Sequence, residues 1–144
     1  MRLLILLLAT GLSAADLTVS KAWSRASTPR QETGAVFALI TGGNAEDRLL
    51  SVDSAAADVV ELHEHASGPD GVMAMRAVPG GLVIAAGVVV ELKPRSYHVM
   101  LIGLKRPLAK AQLVSVTFVF QHAGRITVQA EILDPWAMAF DDRY

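Results

Sequence analysis

The chain has no cysteine. That excludes disulfide stapling, so a hydrophobic core must hold any fold by itself. It also excludes thiolate nucleophiles and thiolate metal sites, and it leaves methionine as the only soft sulfur donor. Charge of one sign is missing too: 13 Lys and Arg stand against 14 Asp and Glu, for a net charge of −1. With no run of like charges, nothing marks a nucleic-acid surface or an electrostatically held membrane surface. No Gly-x-Ser-x-Gly turn occurs, so hydrolase-type nucleophile chemistry finds no support. Outside the first residues no apolar run is long enough for a membrane helix, because Gly, Pro and charges interrupt each one.

The start is the exception. Met1-Arg2 precedes the apolar stretch Leu3 to Ala9, which leads into Ser13-Ala14-Ala15. A charged beginning, a short apolar stretch and small residues at its end make a secretory signal peptide. We therefore expect a signal peptide over 1–15, a single β-domain over 16–133 and a tail over 134–144, in an exported protein with no membrane span in its mature chain.

The rest of the chain reads as short β-type runs between turn residues. The expected strands are Leu17–Ser24, Ala35–Thr41, Arg48–Asp53, Val59–His65, Val72–Val78, Val83–Ile84, Val88–Leu92, His98–Leu104, Leu113–Gln121 and Arg125–Ile132. Val114, Val116, Phe118 and Phe120 alternate with Ser115, Thr117, Val119 and Gln121, the two-residue period of a strand with one buried face. Turn punctuation recurs, for example Gly68-Pro69-Asp70-Gly71, Pro79-Gly80-Gly81 and His122-Ala123-Gly124. No amphipathic helix is evident, although Ser54 to Ala57 allows one helical turn. The pattern predicts an all-β antiparallel Greek-key sandwich or barrel. The tail after Asp134 loses the pattern and is expected to dock, if it docks, through Trp136 or Phe140.

Three of the four histidines, His63, His65 and His98, each have a methionine at matched spacing. If the hairpin Val59–Val78 turns about Pro69, His63 faces Met75 and His65 faces Met73, since opposed residues share a face with Cβ atoms about 4.5–5.5 Å apart. A one-residue slip would spoil that pairing. His98 and Met100 share the opposite face of their strand from Val99 and Leu101. Taken singly, each methionine reads as core filler and each histidine as a satisfied polar group. Taken together they describe a set of imidazoles and thioethers, and thioether softness favours Cu(I). His122 reads as a turn residue, and Met138 has no partner by this logic.

These residues and their surroundings resemble the periplasmic PCu(A)C copper chaperones. The likeness rests on Ala22-Trp23-Ser24-Arg25-Ala26, Asp47-Arg48-Leu49, Val60-Glu61-Leu62-His63, Gly71 to Arg76 and His98 to Leu104. It spans nearly the whole chain after the leader. The spacing between His63 and Met75 is one residue longer than in that family, which leaves His65 as an alternative to His63. The resemblance implies a cupredoxin-like fold and a Cu(I) site made by His63, Met75, His98 and Met100. It further implies a non-enzymatic role in delivering copper to the CuA subunit of respiratory oxidase, alongside Sco-type thiol proteins.

Such donors suit a carrier. Thiolates oxidise in an exported compartment, whereas thioethers are neutral and form no disulfides. Four neutral ligands leave the ion's single charge, which Glu61 or Glu64 would offset. One rival reading is a cupin-type metalloenzyme using His63, His65 and His98. It lacks the expected carboxylate and would waste two methionines on a hard metal. A second rival is an exported β-sandwich that only binds proteins, with its His and Met incidental.

Overall fold

The computed structural model describes residues 16–68, 70, 71 and 73–143; the leader lies outside them. Ten strands follow in order: β1 Thr18–Arg25, β2 Thr33–Thr41, β3 Asp47–Asp53, β4 Ala57–Ser67, β5 Met73–Ala77, β6 Leu82–Ile84, β7 Val89–Leu92, β8 His98–Leu104, β9 Leu113–Phe120 and β10 Gly124–Leu133. Each expected strand is present, with ends agreeing to within two residues. Among the described residues there is no helix; Ala55 and Ala56 form a turn.

Hydrogen bonding links the strands as β5-β4-β8-β2-β1-β10-β9-β3-β6, with β7 beside β2. The all-β expectation holds, with its antiparallel part and its barrel alternative revised. The sheet is mixed, because β1 runs parallel to β10 through Trp23 opposite Glu131 and Arg25 opposite Leu133. Nor is it a closed barrel, since β5 and β6 end the path as edges.

Alternation decides which face is buried. On β9, Val114, Val116, Phe118 and Phe120 point inward, while Thr117 bonds Thr127 across the outer face. On β2 the inward residues are Val36, Ala38 and Ile40, and on β8 they are Val99 and Leu101. These meet Leu49 and Val52 of β3 and Ala130 and Ile132 of β10, so strands distant along the path share one core. Burial of apolar area on this scale is the main stabilising term available to a disulfide-free chain.

A smaller cluster forms on the outer face. Trp23, Phe37, Leu133 and Ala137 are buried together, with Ala35 and the tail aromatic Phe140 packed against them. The rings of Trp23 and Phe37, opposed on β1 and β2, lie 4.6 Å apart. A bulge between Ser20 and Trp23, with Lys21 at φ 50°, turns Ala22 and Trp23 so that both are buried. The tail thus docks through Ala137 and Phe140. Trp136 does not dock, being 75% exposed.

One buried carboxylate ties distant segments together. Asp47, at the start of β3, accepts the amides of Arg48 at 2.7 Å, His122 at 2.9 Å and Ala123 at 2.8 Å. Burial pushes its pKa up, but the His122, Arg48 and Ala123 amides, with the His122 charge, outweigh this and hold it below the ordinary 3.8. Asp47→Ala strands these donors and is expected to cost about 2–4 kcal/mol at neutral pH. A group with a depressed folded pKa stabilises above its unfolded pKa and loses that contribution as pH falls through the folded value. Urea unfolding should therefore separate wild type from variant at pH 7, and the gap should narrow in strong acid.

Candidate metal centre

The face of the sheet opposite the main core gathers the histidines and methionines. β4 and β8 run antiparallel with His63 directly opposite His98 and Glu61 opposite Met100. Because Leu62, Val99 and Leu101 point into the main core, these four residues point outward. Ala35 of β2 lies opposite Met100, and Phe37 brings its ring to 6.4 Å from that of His98. The outer apolar cluster thus forms one wall of the site. His98 is only 3% exposed there.

The two opposed imidazoles are each held by one nitrogen. His98 Nδ1 lies 2.9 Å from the Ser96 carbonyl oxygen, a pure acceptor, so Nδ1 carries the proton and Nε2 keeps its lone pair. His63 Nε2 lies 2.7 Å from Glu61 Oε2, which assigns the proton to Nε2 and the lone pair to Nδ1. His63 Nδ1 is buried and has no hydrogen-bond partner. A metal-ligating histidine commonly donates its other N–H to a carboxylate or carbonyl, and both rings have that arrangement. Burial lowers the His98 pKa, the Ser96 carbonyl opposes this, and His65 and His63 lower it further. The net lowering favours the neutral ring, the form that binds metal.

The β4–β5 hairpin differs from expectation. Its register sets His65 opposite Met75, Ser67 opposite Met73 and His63 opposite Ala77. The midpoint is Asp70 rather than Pro69, and moving it by one residue shifts every pair by two. Gly71, at φ 78°, donates to the Gly68 carbonyl at 3.0 Å and closes the turn there. A two-residue shift keeps all side chains on their faces, so Met75 remains beside His63 as a diagonal neighbour. Glu64 faces away and pairs with Arg76 at 3.1 Å, so Glu61 alone of the two acids stands beside the histidines.

Two cavities open on this face. One, of about 330 Å³, is lined by His65, Met75, His98, Arg25, Phe37 and Met138 among others. The other, of about 210 Å³, is lined by Met75, His98, Met100, Arg25 and Phe37 among others. The His63 and His65 rings lie 5.9 Å and 5.6 Å from that of His98. Met75 and His98 line both cavities, Met100 one and His65 the other, while His63 lines neither and is placed beside them by its ring opposite His98. Three participants were missed from sequence: Phe37 as a wall, Arg25 as a charged rim residue, and Met138. The Glu-x-His spacing on a strand was the signal that would have identified Glu61 as the partner of His63 specifically.

Chemically, the face offers neutral imidazole nitrogens and thioether sulfurs, a set matched to a soft monovalent ion. Among the described residues no group of three or more His, Cys, Asp or Glu has metal-holding geometry, so the three-histidine cupin reading gains no support from the arrangement. With His63 as a ligand, Glu61 would orient its ring, so Glu61→Ala is expected to weaken Cu(I) binding about 10–100-fold. A Cu(I) competition titration checks this, and the partly exposed position of Glu61 leaves the fold intact.

The fold is shared with solved copper-protein domains. The copper-bound PCuAC domain from PmoF2 aligns with a TM-score of 0.68 at 20% identity, covering 85% of this chain and 97% of that one. CuI-DR1885 from Deinococcus radiodurans aligns with a TM-score of 0.68 at 26% identity, covering 90% of this chain and 85% of that one. These likenesses show a cupredoxin-like β-fold shared with PCuAC domains. Residues 17–132 match the LpqE-like family, and the chain belongs to it. "Putative lipoprotein Lxx21020" of Leifsonia xyli subsp. xyli is 32% identical over 124 residues, 86% of this chain and 74% of that protein.

Proposed function

We propose that this protein is an exported copper carrier that binds one Cu(I) through His63, Met75, His98 and Met100. The observation that carries this reading is the pair of opposed imidazoles, each tied at one nitrogen and open at the other, with His63 Nδ1 buried and unpartnered. Two thioethers on the same face complete a four-coordinate, neutral donor set. The copper-bound and Cu(I) forms of the structural relatives support it. Met75 lies on the edge strand β5 and is 49% exposed, so an acceptor's ligands have a route to displace the donors one at a time.

The destination we propose is the CuA centre of respiratory oxidase, directly or with a Sco-type protein, in the periplasm. The charged, apolar leader and the lipoprotein name of the relative support export. Anaerobic titration against a Cu(I)-specific chelator, with X-ray absorption of the loaded protein, tests the first part. One equivalent bound in a mixed nitrogen and sulfur shell is expected; an all-nitrogen and oxygen shell would overturn it. Mixing two equivalents of the loaded protein with an apo CuA domain, then removing one electron with ferricyanide, tests delivery, and absence of the mixed-valence CuA absorption bands would count against that destination.

A further inference from the structure

Met138 belongs to none of the donor pairs above, yet it lines the same cavity as His65, Met75 and His98. It follows β10 in the tail and is 54% exposed, so packing gives no account of its position. Its surroundings are built nonetheless. Arg25 Nη2 lies 2.9 Å from Met138 Sδ, and Arg25 Nε donates to the Ala137 carbonyl at 2.7 Å. The same guanidinium lies over the Phe37 ring, 5.9 Å from its centroid. On the other side, Asp142 Oδ2 accepts the amides of Met138 at 2.8 Å and Ala139 at 3.0 Å. Ala137 is buried against Trp23, Phe37 and Leu133. Both flanks of Met138 are thus anchored, and one side chain holds the sulfur in place.

Resting on the copper reading, we propose that Met138 Sδ is a further Cu(I) donor on the outer side of the site. The two cavities share Met75 and His98; Met100 lines one and Met138 the other. An ion held by the shared residues would border both cavities, one lined by Met100 and the other by Met138. Thioether sulfur is only a weak hydrogen-bond acceptor and has two lone pairs. The contact with Arg25 engages one and leaves the other for a soft cation. Exchange of Met100 for Met138 moves the ion outward without changing its oxidation state or its number of soft donors.

The test is carbon-13 methyl NMR of the full protein labelled at methionine, with one equivalent of Cu(I) added anaerobically. The methyl signals of Met75, Met100 and Met138 are all expected to shift. Met138→Leu keeps the size and apolar character of the side chain. It is expected to leave apo-protein melting unchanged and to lower Cu(I) affinity about tenfold, or about 1.4 kcal/mol. Shifts at Met75 and Met100 with Met138 unmoved would overturn this proposal and leave the copper reading intact. No shift at any of the three would overturn both. An unchanged affinity in Met138→Leu would also sink it, whatever the methyl signal does.

Discussion

His98→Ala should lower Cu(I) affinity more than about 100-fold, beyond the 10–100-fold typical of residues that act through a ligand. His98 is the residue around which the site is arranged. It lines both cavities, lies opposite His63 and has the rings of His63, His65 and Phe37 within 6.4 Å. Its Nδ1–H is committed to the Ser96 carbonyl, which fixes the ring and leaves Nε2 as the nitrogen available to a metal. Removing the ring removes the proposed donor and a buried wall of both cavities. Competition against a Cu(I) chelator reads the loss directly. Urea unfolding of the apo-protein separates it from damage to the fold, because His98 is buried and its deletion leaves a cavity. Near-wild-type affinity in a folded His98→Ala variant would rule out His98 as a ligand.

Much of this arrangement was legible in the sequence, for a reason that lies in the period of a strand. Alternation assigns Val99 and Leu101 to one face and His98 and Met100 to the other without any knowledge of topology, and the burial of Val99 and Leu101 agrees. The hairpin was legible only to within a face. Parity kept His63, His65 and Met75 together, but the turn midpoint decides which residue opposes which, and a single residue in the Gly68–Gly71 turn moved it. The parallel pairing of β1 with β10 has no local signature, since it joins segments at opposite ends of the chain. Met138 was unreadable for the same reason: its partner, Arg25, is 113 residues away.

Of the two hairpin histidines, His63 is the one expected to close the donor set. His63→Ala should weaken Cu(I) binding about 100-fold or more, and His65→Ala less than about tenfold, since an anchored ligand carries more than an unanchored neighbour. His63 sits across from His98, its ring is mostly buried, and Glu61 fixes its orientation at 2.7 Å. Its open nitrogen has no other partner. His65 sits nearer the hairpin turn, opposite the half-exposed Met75, and among the described residues no hydrogen bond fixes its ring. A double-mutant cycle sharpens the contrast. With Glu61 acting through the His63 ring it bonds, adding Glu61→Ala to His63→Ala is expected to change affinity little further. The same change in a His65→Ala background should retain its full effect. If instead His65→Ala proved the more damaging substitution and Glu61→Ala had no effect, His65 would be the ligand and His63 a structural neighbour.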